Sequence, residues 1–386
     1  MNFTLTPEQR ALQATARRFA REQMAAVARA CEAEDEPPSH AWRKRYAEMG
    51  FLGVNLPVEY GGLGLSNLDA VLVLEEFAQV SVAVAFPIFE ALVGPVKAIE
   101  RFGGEELKRR ILPRVAAGEM QIAIAMSEPH AGSGLTDLTT RARIEGERIV
   151  LDGQKRWTSG GGHAEGYLVY CRMSDAPGAK GIGAVLVEKG AKGLSFGKRE
   201  ALMGFRGIPT ADIHFDAVSV PRENQVVPAG GFGKLMEAFD LERCGNATMS
   251  LGIASGALES ALAYALERKQ FGKPIADFQA IQMKLAEMKM KVEAARLLVH
   301  RAVVNAASGL PSVLDSSVAK CFANDMVREV AGLAVQVMGG YGYAKAYGAE
   351  QRLRDAWAWG IAGGTIDIQK INIASALVGR RFDQRK

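Results

Sequence analysis

The side chains best suited to hold or transform a ligand fall in a few short stretches of the 386-residue chain. In Met126-Ser127-Glu128-Pro129-His130-Ala131-Gly132-Ser133, glycine and two serine hydroxyls can bring donors close to a bound molecule, although a surface turn has the same composition. Lys155-Arg156-Trp157-Thr158-Ser159-Gly160-Gly161 offers an indole surface with one N–H and two neighbouring hydroxyls; its ordinary alternative is a core tryptophan at a strand end. Arg268-Lys269-Gln270-Phe271-Gly272, followed by Phe278-Gln279, supplies a guanidinium whose planar fork matches phosphate oxygens, or a basic helix end with a glycine cap. Gln336-Val337-Met338-Gly339-Gly340-Tyr341-Gly342-Tyr343 has three glycines where ending a helix needs one, so the backbone is free to approach a ligand. Phe239-Asp240-Leu241-Glu242-Arg243 gathers two carboxylates and a guanidinium within about one helical turn, which also describes an acid on a solvated face paired with a residue such as Lys234.

Other chemistries are excluded by what is scattered. Cys31, Cys171, Cys244 and Cys321 are far apart, as are the five histidines, so neither disulfides nor a metal site is expected. The 47 basic and 43 acidic residues are mixed along the chain, leaving a net charge of +4 and no stripe for nucleic acid or a membrane surface. The N-terminus has no apolar targeting core, and no window is read as the 18 or so uncharged apolar residues of a membrane span, so a cytoplasmic protein is expected. With 48% apolar and 23% charged residues, the chain has an ordinary globular composition, and its length suggests two or three domains.

These stretches must be positioned by three blocks of different periodicity. The first is helical. It opens on a capping box at Thr6, Pro7 and Gln9, and Glu36 to Ser39, Pro57 to Gly62 and Phe102 to Gly104 act as breakers. From about residue 121 the period becomes 2, with tight turns expected at Glu145-Gly146 and Asp152-Gly153 and short strands at Tyr167 to Cys171, Gly183 to Val187 and Ala211 to Phe215. After Pro228-Ala229-Gly230-Gly231 the helical period returns, in long segments at about 232 to 268 and 276 to 307. Gly245, Gly252 and Gly256 in the first of these predict close helix packing or a ligand against the backbone, because each costs about 1 kcal/mol relative to alanine.

The domain order and motifs together resemble the acyl-CoA dehydrogenase family over essentially the whole chain. The resemblance implies an α+β architecture: an N-terminal helical domain (1–120), a middle β-barrel-like domain (121–228) and a C-terminal four-helix bundle (229–386). It also implies FAD as cofactor, an acyl-CoA substrate, an electron-transfer flavoprotein as acceptor and a homo-oligomer, in the family a tetramer. Residues 126–133 look like the family's (T/S)EPxAGS loop, which implies that Ser127 and Ser133 lie near the flavin and Ser133 also near substrate. Trp157, Thr158 and Ser159 resemble the segment over the flavin face. Arg268, Gln270, Phe271 and Gln279 resemble a motif reaching the FAD pyrophosphate of a neighbouring subunit, and Gln336, Gly339 and Gly340 one near its adenosine end.

Removing the α-proton of a thioester needs a carboxylate facing the α-carbon, while flavin N5 takes hydride from the β-carbon. Many family members place that carboxylate in a YEGT motif, and Gly363 stands at its position here, before Gly364 and Thr365. A minority keep the glutamate on the first helix of the C-terminal domain, which makes Glu242 the expected base, with Asp240 and Arg243 near the CoA. The backbone N–H at Gly363 is implied to hydrogen-bond the thioester oxygen. Thr365 and Asp367 are carried over as cofactor contacts, although Asp367 stands where glutamine is usual and Gly134 replaces the aspartate of AGSD. Residues 203–209 also resemble the sulfinopropionyl-CoA desulfinases. Those enzymes lack the helix acid and use an arginine in the N-terminal domain, and Val84 to Pro87 offers none, so dehydrogenation is the favoured expectation. A flavin-bearing binding protein without turnover would need a basic stripe or an appended domain, and neither is read.

Overall fold

Thr6 starts the fold as its sequence predicts. In the computed structural model, which describes residues 3–306, 309–382 and 384, its side chain accepts from the Gln9 N–H at 3.2 Å while Gln9 Oε1 accepts from the Thr6 N–H at 3.1 Å. This box opens α1 (Pro7–Gln23), followed by α2 (Ala25–Glu34), α3 (His40–Glu48), α4 (Asn67–Val80), α5 (Val82–Leu92), α6 (Val96–Phe102) and α7 (Glu105–Ala116). The aromatic centre of this block is Phe19, Tyr46, Phe51 and Phe77, with ring centroids 5.2–5.9 Å apart.

Two stretches, Val82–Phe102 and Phe232–Glu267, are long and apolar enough to cross a membrane, contrary to the expectation that no such window exists. The first is entirely buried in the protein. It is broken between α5 and α6 at Gly94-Pro95, and it carries the buried Glu90 and Lys97. Lys97 is satisfied by the Asn55 carbonyl at 2.7 Å and by Glu100. The second is 56% buried over its apolar window, with the residues from Ala238 to Ala257 inside the fold.

The middle block consists of β1 (Ile122–Ala125), β2 (Arg141–Glu145), β3 (Arg148–Ser159), β4 (Gly166–Arg172), β5 (Ile182–Glu188), β6 (Leu194–Phe196), β7 (Thr210–Pro221) and β8 (Gln225–Val227). One mixed sheet runs β6-β7-β3-β2-β4-β5-β8, with β1 added in parallel beside β4. Its two halves close on a private core: Ile149 and Leu151 of β3 and Ile213 and Phe215 of β7 meet Tyr167, Val169 and Val185 from β4 and β5. The alternate residues Leu168, Tyr170 and Leu186 turn to the helical core instead, as period 2 requires.

The Glu145-Gly146 turn forms as expected, joining β2 to β3 with Glu145 paired to Arg148. Asp152-Gly153 does not turn. It is an irregularity inside β3, where the register against β7 shifts between Leu151 and Gly153, and the Asp152 carboxylate accepts from the Ala217 N–H at 2.8 Å. The chain passes so close to Thr140 here that a Cβ on Gly153 would lie 2.7 Å from the Thr140 Cα, so the glycine marks a bulge and close approach.

The last block begins with α8 (Phe232–Glu267), then a small ladder of β9 (Lys269–Gln270) and β10 (Lys273–Pro274), and continues through α9 (Gln279–Val304), α10 (Val313–Met338), α11 (Gly340–Tyr343), α12 (Ala349–Trp359) and α13 (Ile366–Val378). Helix α10 packs against α8, α9, α12 and α13, and α8 also packs along α4. The glycines of α8 are explained by packing. A Cβ on Gly245 would lie 2.2 Å from Val93 Cγ2, one on Gly252 2.3 Å from the Ala78 Cβ, and one on Gly256 2.4 Å from the Gln79 carbonyl oxygen.

Gly252→Ala is therefore expected to destabilise the protein by about 1–3 kcal/mol, because the added methyl meets the backbone and Cβ of Ala78, which have no rotamer to change. Denaturant unfolding of the variant measures the cost, and a wild-type midpoint would contradict the packing argument.

Candidate active site

Helical spacing on α8 puts Glu242 and Asn246 on one face, four residues apart, and the same spacing on α10 puts Lys320 and Asn324 together. All four are buried. Asn324 Nδ2 donates to Asn246 Oδ1 at 2.8 Å, and Asn246 Nδ2 donates to the Ala362 carbonyl at 3.3 Å. Lys320 Nζ donates to three successive carbonyls, Ala362 at 2.5 Å, Gly363 at 2.7 Å and Gly364 at 2.8 Å. Gln369 Nε2 adds a further bond to the Gly364 carbonyl at 3.1 Å, and Gln369 Oε1 accepts from Ser317 Oγ at 3.0 Å.

The loop so held runs through Gly363 at φ 66° and Gly364 at φ 80°, a left-handed pair that side chains other than glycine rarely adopt. A Cβ at Gly363 would lie 3.2 Å from Lys320 Nζ, 3.5 Å from Asn246 Nδ2 and 3.6 Å from Phe239 Cζ. Gly363 therefore stands at the edge of the polar cluster that contains Glu242.

Glu242 is no solvated helix acid. It is 8% exposed, and no described residue hydrogen-bonds its carboxylate, with Lys234 in particular not engaging it. Burial raises its carboxyl to about 8, opposed by the positive charges of Lys320 and Arg243. Tyr170 of β4 and Glu90 of α5 feel its charge, so Glu242 lies where all three blocks meet. Glu90 is likewise raised well above the usual carboxylate range by burial, and Gln121 Nε2 donates to it. Arg243 turns away from Glu242, pairing with Asp240, whose Oδ1 also accepts from Ser316 Oγ at 2.8 Å. Its guanidinium stands 5.4 Å from the Phe239 ring, and its buried Nε has no acceptor. Burial lowers Lys320 to about 7, with Arg243 lowering it further and Glu242 opposing.

On the β side, Trp157 is not in a core. It is 54% exposed at φ 61°, with Arg156 4.2 Å from its ring centroid. Next to it Thr158 is buried, and its hydroxyl finds no partner in the protein. Ser127 and Ser159 are half-buried and Ser133 is exposed. The loop from 126 to 140 is pinned by Glu128, which accepts from the Thr139 N–H at 2.6 Å, the Thr140 N–H at 2.9 Å and Lys155 Nζ at 2.8 Å. Thr365 caps α13, its hydroxyl oxygen accepting from the Ile368 N–H at 3.3 Å, and Asp367 is exposed in the first turn of that helix.

Arg268, Gln270, Phe271, Gln279, Gln336, Gly339 and Gly340 are all exposed and form a separate group. Arg268 ends α8, 5.6 Å from the Tyr341 ring that follows the Gly339-Gly340 pair, so the two motifs do meet each other. They do not meet Glu242: 26 residues of helix, about 39 Å at 1.5 Å per residue, separate it from Arg268. A cavity of about 50 Å³ lined by Arg43, Gln121, His163 and Glu165 lies between the first two blocks and is too small for a cofactor or acyl-CoA.

Sequence reasoning missed Lys320, Asn246, Asn324 and Glu90, although apolar runs interrupted by a lysine or asparagine at helical spacing from other apolar residues are the signal that would find them. It also missed what residues 354–355 do. Asp355 Oδ1 accepts from the Phe205 N–H at 2.7 Å, and Arg354 reaches Glu32 of α2, Glu350 and the Met203 carbonyl, tying all three blocks together.

Three family patterns cover the chain: acyl-CoA dehydrogenase N-terminal domain over residues 6–119, middle domain over 123–218 and C-terminal domain over 229–378. A 3-sulfinopropanoyl-CoA desulfinase of Paraburkholderia xenovorans is 39% identical over 100% of this chain and 99% of its own length. An acryloyl-CoA reductase (NADH) of Anaerotignum propionicum is 38% identical over 98% of this chain and 97% of its own. Among solved structures, butyryl-CoA dehydrogenase from Megasphaera elsdenii superposes with a TM-score of 0.94 at 32% identity, covering 98% of this chain and 100% of the other.

The Glu128–Lys155 pair gives a test of how the β-side loop is held. Burial alone would raise the Glu128 carboxyl, but Lys155, Thr140 and Thr139 bring it down to about 2. A carboxyl depressed below its ordinary 4.5 stabilises the fold above that value, and the stabilisation is lost as pH falls through about 2. Glu128→Gln leaves the fully buried Lys155 ammonium unpaired and is expected to cost about 3–5 kcal/mol at neutral pH. Its unfolding midpoint should also depend less on pH between 4.5 and 2 than that of wild type.

Proposed function

The chain belongs to the acyl-CoA dehydrogenase family, and from that we propose that it dehydrogenates a short acyl-CoA thioester between its α and β carbons, with Glu242 as the base. The observation that carries the assignment of the base is the environment of Glu242. Its carboxylate is buried, has no hydrogen-bonded partner among the described residues, and is raised to about 8, which suits a group that must take a proton at neutral pH.

Family members are FAD-dependent, and the residues on the β side fit a flavin. A buried Thr158 hydroxyl without a partner and a half-exposed Trp157 beside it are what a bound aromatic ring with polar edges would satisfy. When bound, the flavin supplies acceptance of the β-hydride. Trp157 would then give an apolar surface, Thr158 and Ser159 donors, and Ser127, Ser133, Thr365 and Asp367 further polar contacts. Arg243, paired to Asp240, leaves donors for an anionic part of CoA.

Arg268, at the end of α8, stands about 39 Å along the helix from Glu242, which supports its motif, with Gln270, Phe271, Gln279, Gln336, Gly339 and Gly340, serving the cofactor of a second subunit. The exposed Met283, Met290, Leu297 and Val304, seven residues apart along α9, form an apolar stripe that suits the subunit contact of a homo-oligomer, a tetramer in our reading. The acyl chain is read as short because Phe86, Phe89, Trp359 and Phe205 fill the interior near α8 with centroids 4.8–5.8 Å apart. An electron-transfer flavoprotein is the proposed acceptor. A chain from a structural study of the electron transferring flavoprotein of Acidaminococcus fermentans matches this one with a TM-score of 0.94 at 36% identity, covering 98% of this chain and 100% of that one.

The relatives at 36–39% identity that act on 3-sulfinopropanoyl-CoA support a second reading, loss of a sulfinate group from the β-carbon on the same scaffold. Glu242 favours the first.

Anaerobic flavin bleaching by a panel of acyl-CoAs separates the two readings. At least one short saturated thioester should bleach the wild type, and Glu242→Gln should slow the step by about 10²–10⁴-fold. Because the base works ionised and its carboxyl is raised to about 8, the wild-type bleaching rate should climb with pH through that value. Release of sulfite from 3-sulfinopropanoyl-CoA, with no thioester bleaching the flavin, would give the second reading instead.

A further inference from the structure

Lys320 is a fully buried charge held by three hydrogen bonds, and the mechanism above gives it no role. It has no accessible surface, and its single nitrogen meets the Ala362, Gly363 and Gly364 carbonyls at 2.5, 2.7 and 2.8 Å. Three acceptors on one nitrogen need three N–H donors, which only the ammonium has. The three carbonyls belong to successive peptide units. In a planar trans peptide the C=O and the following N–H point in opposite directions, so turning three carbonyls onto Lys320 turns the N–H groups of Gly363, Gly364 and Thr365 to the other side of the loop. None of these three N–H groups donates to a described residue. The positive φ values of Gly363 and Gly364 let successive peptides face the same way, and Asn246 and Gln369 brace the same carbonyls.

The family resemblance already implies that the Gly363 N–H meets the thioester carbonyl oxygen; we infer that Lys320 is the positioning residue for that contact, turning the backbone N–H groups at 363–365 toward it. The ammonium acts through the loop. It fixes the peptide planes before the ligand arrives, and its charge polarises their N–H groups toward an oxygen that gains negative charge when the α-proton leaves. A backbone donor free of reorganisation is worth more in a dry site than in water, and Lys320 makes the alternative peptide orientation costly by leaving a buried ammonium unpaired. The inference rests on the acyl-CoA reading above but not on which reaction follows.

The test compares two probes that differ by one oxygen and cannot be dehydrogenated: acetyl-CoA, which has no β-carbon, and S-ethyl-CoA, which has no carbonyl. Equilibrium dialysis with the flavin-loaded enzyme should give acetyl-CoA at least a tenfold tighter Kd than S-ethyl-CoA. In Lys320→Met the ratio should fall to within about threefold, with S-ethyl-CoA affinity and bound FAD unchanged, a selective loss that general loosening would not produce. Lys320→Arg is read in the same way if the methionine variant does not fold. Its planar fork cannot cap three carbonyls converging on one point, so the ratio should narrow at least threefold. A full ratio in either variant, or no preference for acetyl-CoA in the wild type, overturns the inference. Failure of the dehydrogenase reading looks different: no thioester bleaches the wild-type flavin, whatever the ratio.

Discussion

A helix of 36 residues that is buried along most of its length imposes the condition on which the rest of this structure depends. Helix α8 has no continuous solvent face from Ala238 to Ala257. Every side chain in that stretch must either pack or find a polar partner inside the protein, since an unpaired polar group there costs a few kcal/mol. The glycines and alanines meet the first demand, letting α4 and α5 approach until a single added methyl would overlap Ala78 or Val93. Asp240, Glu242, Arg243 and Asn246 create the second.

The compensation is uneven. Asp240 and Arg243 neutralise each other and recruit Ser316, and Asn246 is satisfied by Asn324 and the Ala362 carbonyl. Glu242 receives only the more distant charges of Lys320 and Arg243, so its ionised carboxylate has no direct partner among the described residues. A carboxyl held in that condition is poised to exchange a proton near neutrality, which a surface glutamate with an ordinary pKa is not. The same low-dielectric setting makes Lys320 effective, because its attraction for three carbonyls is not shared with water.

Precision at such a cluster requires that the three blocks not drift. Arg354 and Asp355 hold α12 to both the 203–207 segment and α2, and burial raises the Asp355 carboxyl to about 7 even as the Phe205 N–H stabilises its charge. Arg43 does the equivalent work at the other boundary, donating to the Gly118 carbonyl at 2.9 Å and to Glu165 at 2.8 Å. Both arginines are fork-shaped donors that can bond two elements at once, which a lysine at either position would not do.

Much of this was determined by sequence alone, wherever the information is local. The capping box at Thr6, the extent of α8, the Glu145-Gly146 turn and the strands near 167–171 and 183–187 follow from periodicity and turn chemistry acting over a few residues. The motif residues, Glu242 included, could be singled out because order along the chain suffices to recognise the family's motifs. Tertiary structure decided the rest. Asp152-Gly153 has the composition of a turn but is drawn into a twelve-residue strand by pairing with β7, and the apolar window at 82–102 is core because other helices cover it. Whether Trp157 is core or exposed, and whether Glu242 is solvated or dry, depends on neighbours distant in sequence. Lys320, Asn324 and Glu90 carried no motif, since a buried charge is defined by the groups that enclose it, and those groups come together only when α5, α8, α10 and the loop at 362–364 have packed.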